Sequence, residues 1–82
     1  MIGWTDASIK PENVNENDVF LVMCARRRIP SDNPRVTIHT NHYAIAEFVN
    51  DGWFDHADGY ALEYDDVDGK STILKWVKIN EN

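Results

Sequence analysis

Hydrophobic and polar positions alternate along much of this chain, and the pattern predicts strands. Val19 to Ala25 is a continuous apolar run, closed by Asp18 and Arg26, and reads as a strand buried on both faces. Arg26 to Pro34 reads as a loop, because two prolines and the pairs Ser31-Asp32 and Asn33-Pro34 interrupt any ladder. Arg35 to Thr40 then alternates, with Val36 and Ile38 opposed to Thr37 and His39, as in a half-buried strand. That strand leads into the stretch around which the chain is organised, His42 to His56.

In this stretch Tyr43, Ile45 and Val49 fall on one parity, and Ala44, Ala46 and Phe48 fall on the other. Asn50-Asp51-Gly52 is the strongest turn signal in the sequence, and Trp53-Phe54 follows it directly. The pattern predicts a β-hairpin whose three-residue loop ends in a glycine at positive φ. The competing reading is a short helix over residues 42–50, capped by Asn41 and stopped at Gly52. Aromatic and β-branched side chains favour the strand. Further on, Tyr60 to Tyr64 is a weak strand and Asp68-Gly69 a hairpin turn. Thr72 to Ile79 is the last strand, with Leu74 and Trp76 sharing a face. At the start, Pro11 to Asp18 is a loop, and Trp4 is expected to pack onto the sheet.

The expected fold is therefore all-β: a small antiparallel sheet or partly closed barrel of four to five strands. It becomes α+β with one short helix if residues 42–50 are helical. Eighty-two residues allow a single domain, residues 1–82, and three Trp, three Tyr and three Phe supply its core. The lone Cys24 excludes an internal disulfide, and inside an apolar run it reads as a buried small hydrophobe. No basic segment precedes an apolar one at the start, and no apolar run has the length of a membrane span. The expectation is a soluble protein of the cytoplasm.

Charge sharpens this picture. Fourteen Asp and Glu stand against eight Lys and Arg, a net charge of −6. Arg26, Arg27, Arg28 and Arg35 are gathered together, whereas Val36 to Gly69 contains neither Lys nor Arg. In that segment lie Glu47, Asp51, Asp55, Asp58, Glu63, Asp65, Asp66 and Asp68. Such a segment repels nucleic acid and attracts basic surfaces within roughly one Debye length, about 8 Å at physiological salt. The simpler use of these carboxylates is solubility. The arginines suit phosphate contacts, intramolecular pairing with the acidic half, or one pole of a bipolar protein-binding surface.

The placing of Trp4, Pro11, the Val19–Val22 run, Tyr43–Phe48, Gly52-Trp53-Phe54 and Ile73-Leu74-Lys75-Trp76 resembles the small phage and prophage domains of unknown function called DUF551. The chain departs from that pattern in having Val77-Lys78-Ile79-Asn80 where the family carries a proline-rich tail. The resemblance implies a β-rich fold and a mobile-element origin, and it assigns no chemistry.

Catalytic and metal constellations are weak. His39, His42 and His56 have no zinc-motif spacing, and His39 and His42 would face opposite ways on a strand. Asp65-Asp66-Val67-Asp68-Gly69 invites a calcium-loop reading. Registering Gly69 on that loop's glycine puts Tyr64 and Lys75 where carboxylates are required, so the reading fails. Cys24 lacks a neighbouring base, and there is no phosphate-binding glycine loop. No enzyme, cofactor, metal or membrane role is expected. The expectation is a non-enzymatic acidic protein docking on a basic partner protein through Glu47, Asp51, Trp53, Asp55, Asp58, Glu63, Asp65, Asp66 and Asp68, with Trp53 as an aromatic anchor. The alternative is a self-associating module with an aromatic contact face.

Overall fold

The computed structural model describes residues 3–67 and 69–79. Its strands are β1 (Thr5–Asp6), β2 (Phe20–Arg28), β3 (Ile38–Val49), β4 (Gly52–Asp55), β5 (Tyr64–Asp65) and β6 (Gly69–Lys78). All pairings are antiparallel, in the order β1-β6-β2-β3-β4, with β5 also on β6. The result is one open six-stranded sheet, not closed into a barrel. Residues 42–49 are strand throughout, so the helical alternative does not hold. The bulky side chains Tyr43, Ile45, Phe48 and Val49 fit a pleated surface better than a helix of this length.

Four local expectations are corrected. The β3–β4 connection is a two-residue turn with Asn50 at φ 49° and Asp51 at φ 65°, the signature of type I′. Asn and Asp tolerate that region, so Gly52 is freed to begin β4 opposite Val49. The arginine run is strand, not loop: Arg26 lies between Thr40 and Ser71, and Arg28 between Ile38 and Gly69. Ladder pairing on both sides carries β2 three residues past its apolar run. Arg35 to Thr37 lie outside β3, which starts at Ile38. Finally, Met23 faces Lys75 while Cys24 faces Ile73, so Leu74 is the extra residue of a bulge. The slip inverts side-chain parity, and Ile73 rather than Leu74 shares the buried face with Trp76.

Alternation along β2 divides the sheet into two unequal faces. Phe20, Val22 and Cys24 are buried and join Ala46, Trp53, Leu62 and Ile73 in the core, whereas Leu21, Met23 and Ala25 on the other face are only half-buried. β2 is thus buried on one face rather than two. Full burial of a side chain such as Phe20 or Val22 contributes roughly 1.5–3 kcal/mol. Two segments cover this face. Ala7 and Val14 pack from the N-terminal side, where the Trp76 indole N–H donates to the Ile9 carbonyl at 2.8 Å. Asp18, itself buried, accepts from the Asn15 amide at 2.8 Å and faces Lys78 Nζ at 3.3 Å, fixing the entry to β2.

The second cover is the chain from His56 to Glu63. Ala61 bridges Phe54, and the Leu62 N–H donates to the Trp53 carbonyl at 2.9 Å. Two residues later Tyr64 pairs with Ser71 on β6, across the width of β3 and β2. The chain therefore crosses the core face as a strap, and Leu62 is its buried anchor.

Candidate functional site

The strap and the residues at its two ends carry most of the acidic residues that the sequence singles out. Its first turn is built by carboxylates: Asp55 accepts from the Ala57 amide at 2.8 Å and the Asp58 amide at 3.3 Å, and Asp58 accepts from the Tyr60 amide at 2.9 Å. Gly59, at φ 77°, completes that turn. Asp66 accepts from the Gly69 amide at 2.9 Å and shapes the approach to β6. Asp55 and Asp58 close turns with one oxygen each, and an ionised carboxylate accepts up to about four bonds.

The remaining acidic residues sit apart. Glu47 on β3 meets His56 Nδ1 at 3.3 Å, and Asp51 occupies the exposed β3–β4 turn. Asp65 on β5 lies 3.8 Å from Lys70, an exposed pair worth little. Glu63 is exposed on the strap. Asp68 lies outside the described residues. The structure thus gathers Asp55, Asp58, Glu63, Asp65 and Asp66 along the strap and its exit, and places Asp51 and Glu47 on the β3–β4 hairpin. Among the described residues no arginine forms an ion pair with Glu47, Asp51, Asp55, Asp58, Glu63 or Asp65.

Trp53 does not belong to this surface. It is only 2% exposed, wedged between Phe20, Phe48 and Trp76 with ring centroids 5.3, 4.8 and 6.1 Å away. Its partner-anchoring role is corrected: the strap covers the face on which it points, and Phe54 takes the less buried side. On the opposite face Tyr43 is 60% exposed, and Trp4 stacks on it at 5.9 Å. Lys75 Nζ stands 4.8 Å from the Trp4 ring, a cation–π contact that pins Trp4 across the sheet. Around them Ile45 and Val77 flank Leu21 in direct register. Trp4 packs on the sheet as its size implies, whereas no local signal marks Tyr43 as exposed. Which face of β3 stays open is decided by the strap, far away in the chain.

The arginines end β2. Arg27 and Arg28 line a shallow cavity of about 240 Å³ with Tyr64, Asp66 and Gly69. Cys24 is fully buried, and burial raises its thiol pKa, outweighing the neighbouring Arg26. A protonated, inaccessible thiol is not a nucleophile. His42 stands opposite Cys24, and burial, helped by Arg26, lowers its pKa. His39 falls on the other face, so the two histidines do not converge. Among the described residues no three His, Cys, Asp or Glu side chains gather in a metal-binding group. Among the described residues no helix is long and apolar enough to cross a membrane.

No family model matches this chain, and neither a curated protein nor a solved structure matches it.

Proposed function

We propose that this chain is a non-enzymatic acidic binding protein that docks its strap carboxylates on the basic surface of a partner protein. The observation that carries this reading is the strap itself: Asp58, Glu63 and Asp65 are exposed along one continuous segment, and no arginine among the described residues pairs with them. A row of this kind, offset only by the exposed Asp65–Lys70 contact, steers a cationic partner from a distance and fixes its orientation on contact. Together with the resemblance to phage and prophage domains, it fits an inhibitor that occupies the basic groove of a host nucleic-acid-binding or defence protein. The test is reversal of Asp58, Glu63 and Asp65 to lysine, with binding to captured host proteins compared at low and high salt. Binding that survives the reversal at low salt sinks the reading.

A second reading, self-association through an aromatic face, is favoured by a different observation. Tyr43, Ile45 and Leu74 are substantially exposed on the side of the sheet that the strap leaves open. Concentration-dependent light scattering tests it, and a chain that remains monomeric removes it.

A further inference from the structure

Among the described residues, much of the sheet's edge is covered, but one long stretch of β3 is not. On the β6 edge, β1 covers Lys75 and Trp76, β5 covers Lys70 and Ser71, and the Ala7 N–H donates to the Leu74 carbonyl. On the β4 edge, the strap bonds to Trp53 and bridges Phe54. β4 itself pairs with β3 only from Ala46 to Val49, and the last bond on that side runs from the His56 N–H to the Ile45 carbonyl at 2.9 Å. From Ile38 to Ala44 nothing among the described residues pairs with the outer edge of β3.

The direction of the exposed groups follows from that last bond. In an antiparallel ladder, main-chain groups alternate sides residue by residue. Ile45 bonds outward, so Tyr43, Asn41 and His39 also direct their N–H and C=O away from β2. The edge is long, at seven residues from Ile38 to Ala44, and none of the usual devices blunts it. It has no proline, no lysine and no bulge, and Val36 to Ala46 contains no Asp, Glu, Lys or Arg.

We propose that this edge is the seam of a homodimer in which β3 pairs antiparallel with β3 of a second copy, about a two-fold axis at Asn41. Asn41 then exchanges two hydrogen bonds with its counterpart, and His39 exchanges two with Tyr43 of the second copy at each end. Outward-bonding residues meet outward-bonding residues, which an antiparallel pair requires. The two-fold register makes this edge complementary to itself, and charge leaves it open to a second copy. Each chain carries a net −6, so two copies approaching through the strap or the β3–β4 hairpin repel each other. Along Val36–Ala46 they meet no like charge at all. The pairing also joins the open faces of the two sheets, placing Tyr43 and Ile45 of both copies on one side of a continuous ladder. This proposal is independent of the acidic docking surface, which stays exposed in the dimer.

Sedimentation velocity of the whole chain over a concentration series tests it, with two variants. Asn41→Pro removes an N–H that bonds nothing inside the monomer, and with it both central bonds of the seam. Asn41→Lys sets two like charges directly opposite each other and loses no internal bond. The native chain is expected to pass from monomer to dimer. Asn41→Pro should raise the midpoint concentration about tenfold or more, the equivalent of two lost hydrogen bonds. If the proline variant does not fold, the lysine variant carries the test and should shift the midpoint in the same direction. Amide exchange at His39, Asn41 and Tyr43 should slow with concentration in the native chain only. A chain that stays monomeric at every concentration, its edge then open to a strand of some other protein, contradicts the proposal. So does a dimer whose midpoint neither substitution moves.

Discussion

Phe20 meets Trp53 edge to face, with ring centroids 5.3 Å apart and planes at 87°. The contact joins the first residue of β2 to the second of β4, across β3. Because Phe20 also meets Trp76 at 5.6 Å, it links three strands in a single aromatic knot. Truncating Trp53 to alanine is expected to cost about 3–5 kcal/mol, a large share of what a domain of this size has. The variant should melt far below the native chain or not fold. A loss under about 1 kcal/mol in denaturant titration would mean that Trp53 is not core.

Gly69 is required by proximity rather than by turn geometry. A Cβ at this position would stand 2.7 Å from the Arg27 carbonyl oxygen, a backbone atom that cannot rotate away. Gly69→Ala should force β6 off the end of β2 and destabilise by roughly 1–3 kcal/mol. Thermal melts check this, and an unchanged midpoint argues against the register assigned to that end of the sheet.

Ser71 makes the opposite case. It is buried opposite Arg26, and its hydroxyl has no hydrogen-bond partner among the described residues. Replacing it with alanine removes an uncompensated polar group. The variant should be as stable as the native chain or up to about 1 kcal/mol more stable. A clear loss would show that the hydroxyl is satisfied in solution.

His42 gives stability a pH dependence. Its pKa in the fold lies below the ordinary 6.5, first because of burial and second because of Arg26. The unfolded chain therefore binds this proton more readily than the folded one, and stability rises with pH through that window. The contribution is complete above the ordinary value. It declines as the pH falls below 6.5 and levels off beneath the lowered native pKa. Asp6, whose carboxyl is held low by hydrogen bonds from Ser8, loses its contribution only in the more acidic carboxylate range. Melting midpoints between about pH 5 and about pH 8 should fall on acidification, and His42→Gln should flatten that slope.

Much of this architecture is legible in the residues. The apolar parity of Tyr43 to Val49 and the Asn50-Asp51-Gly52 turn signal predict the central hairpin, though with a three-residue loop where two residues turn, and Cys24 lies buried as its apolar neighbours imply. What escapes local reading is set by pairing across distance. Arg26 to Arg28 become strand because Thr40 and Ser71 flank them, and the bulge at Leu74 exists only relative to β2. The acidic residues are visible as a run without basic neighbours. That Asp58 and Glu63 ride a strap over the core, and that the same strap hides Trp53, depends on Leu62 reaching the core. No short-range pattern encodes that reach.

The strap's role is tested most directly by comparing the native chain with the Asp58→Lys, Glu63→Lys, Asp65→Lys triple variant in capture of host proteins across a salt series. All three residues are exposed, and the variant gives up one turn hydrogen bond at Asp58 and one exposed ion pair at Asp65, so it should stay folded with a melting temperature lowered by only a few degrees. The account predicts a partner with a basic surface that the native chain holds at low salt, releases at high salt, and that the folded variant fails to hold. A partner held equally well by both chains, or one whose binding ignores salt, would contradict it.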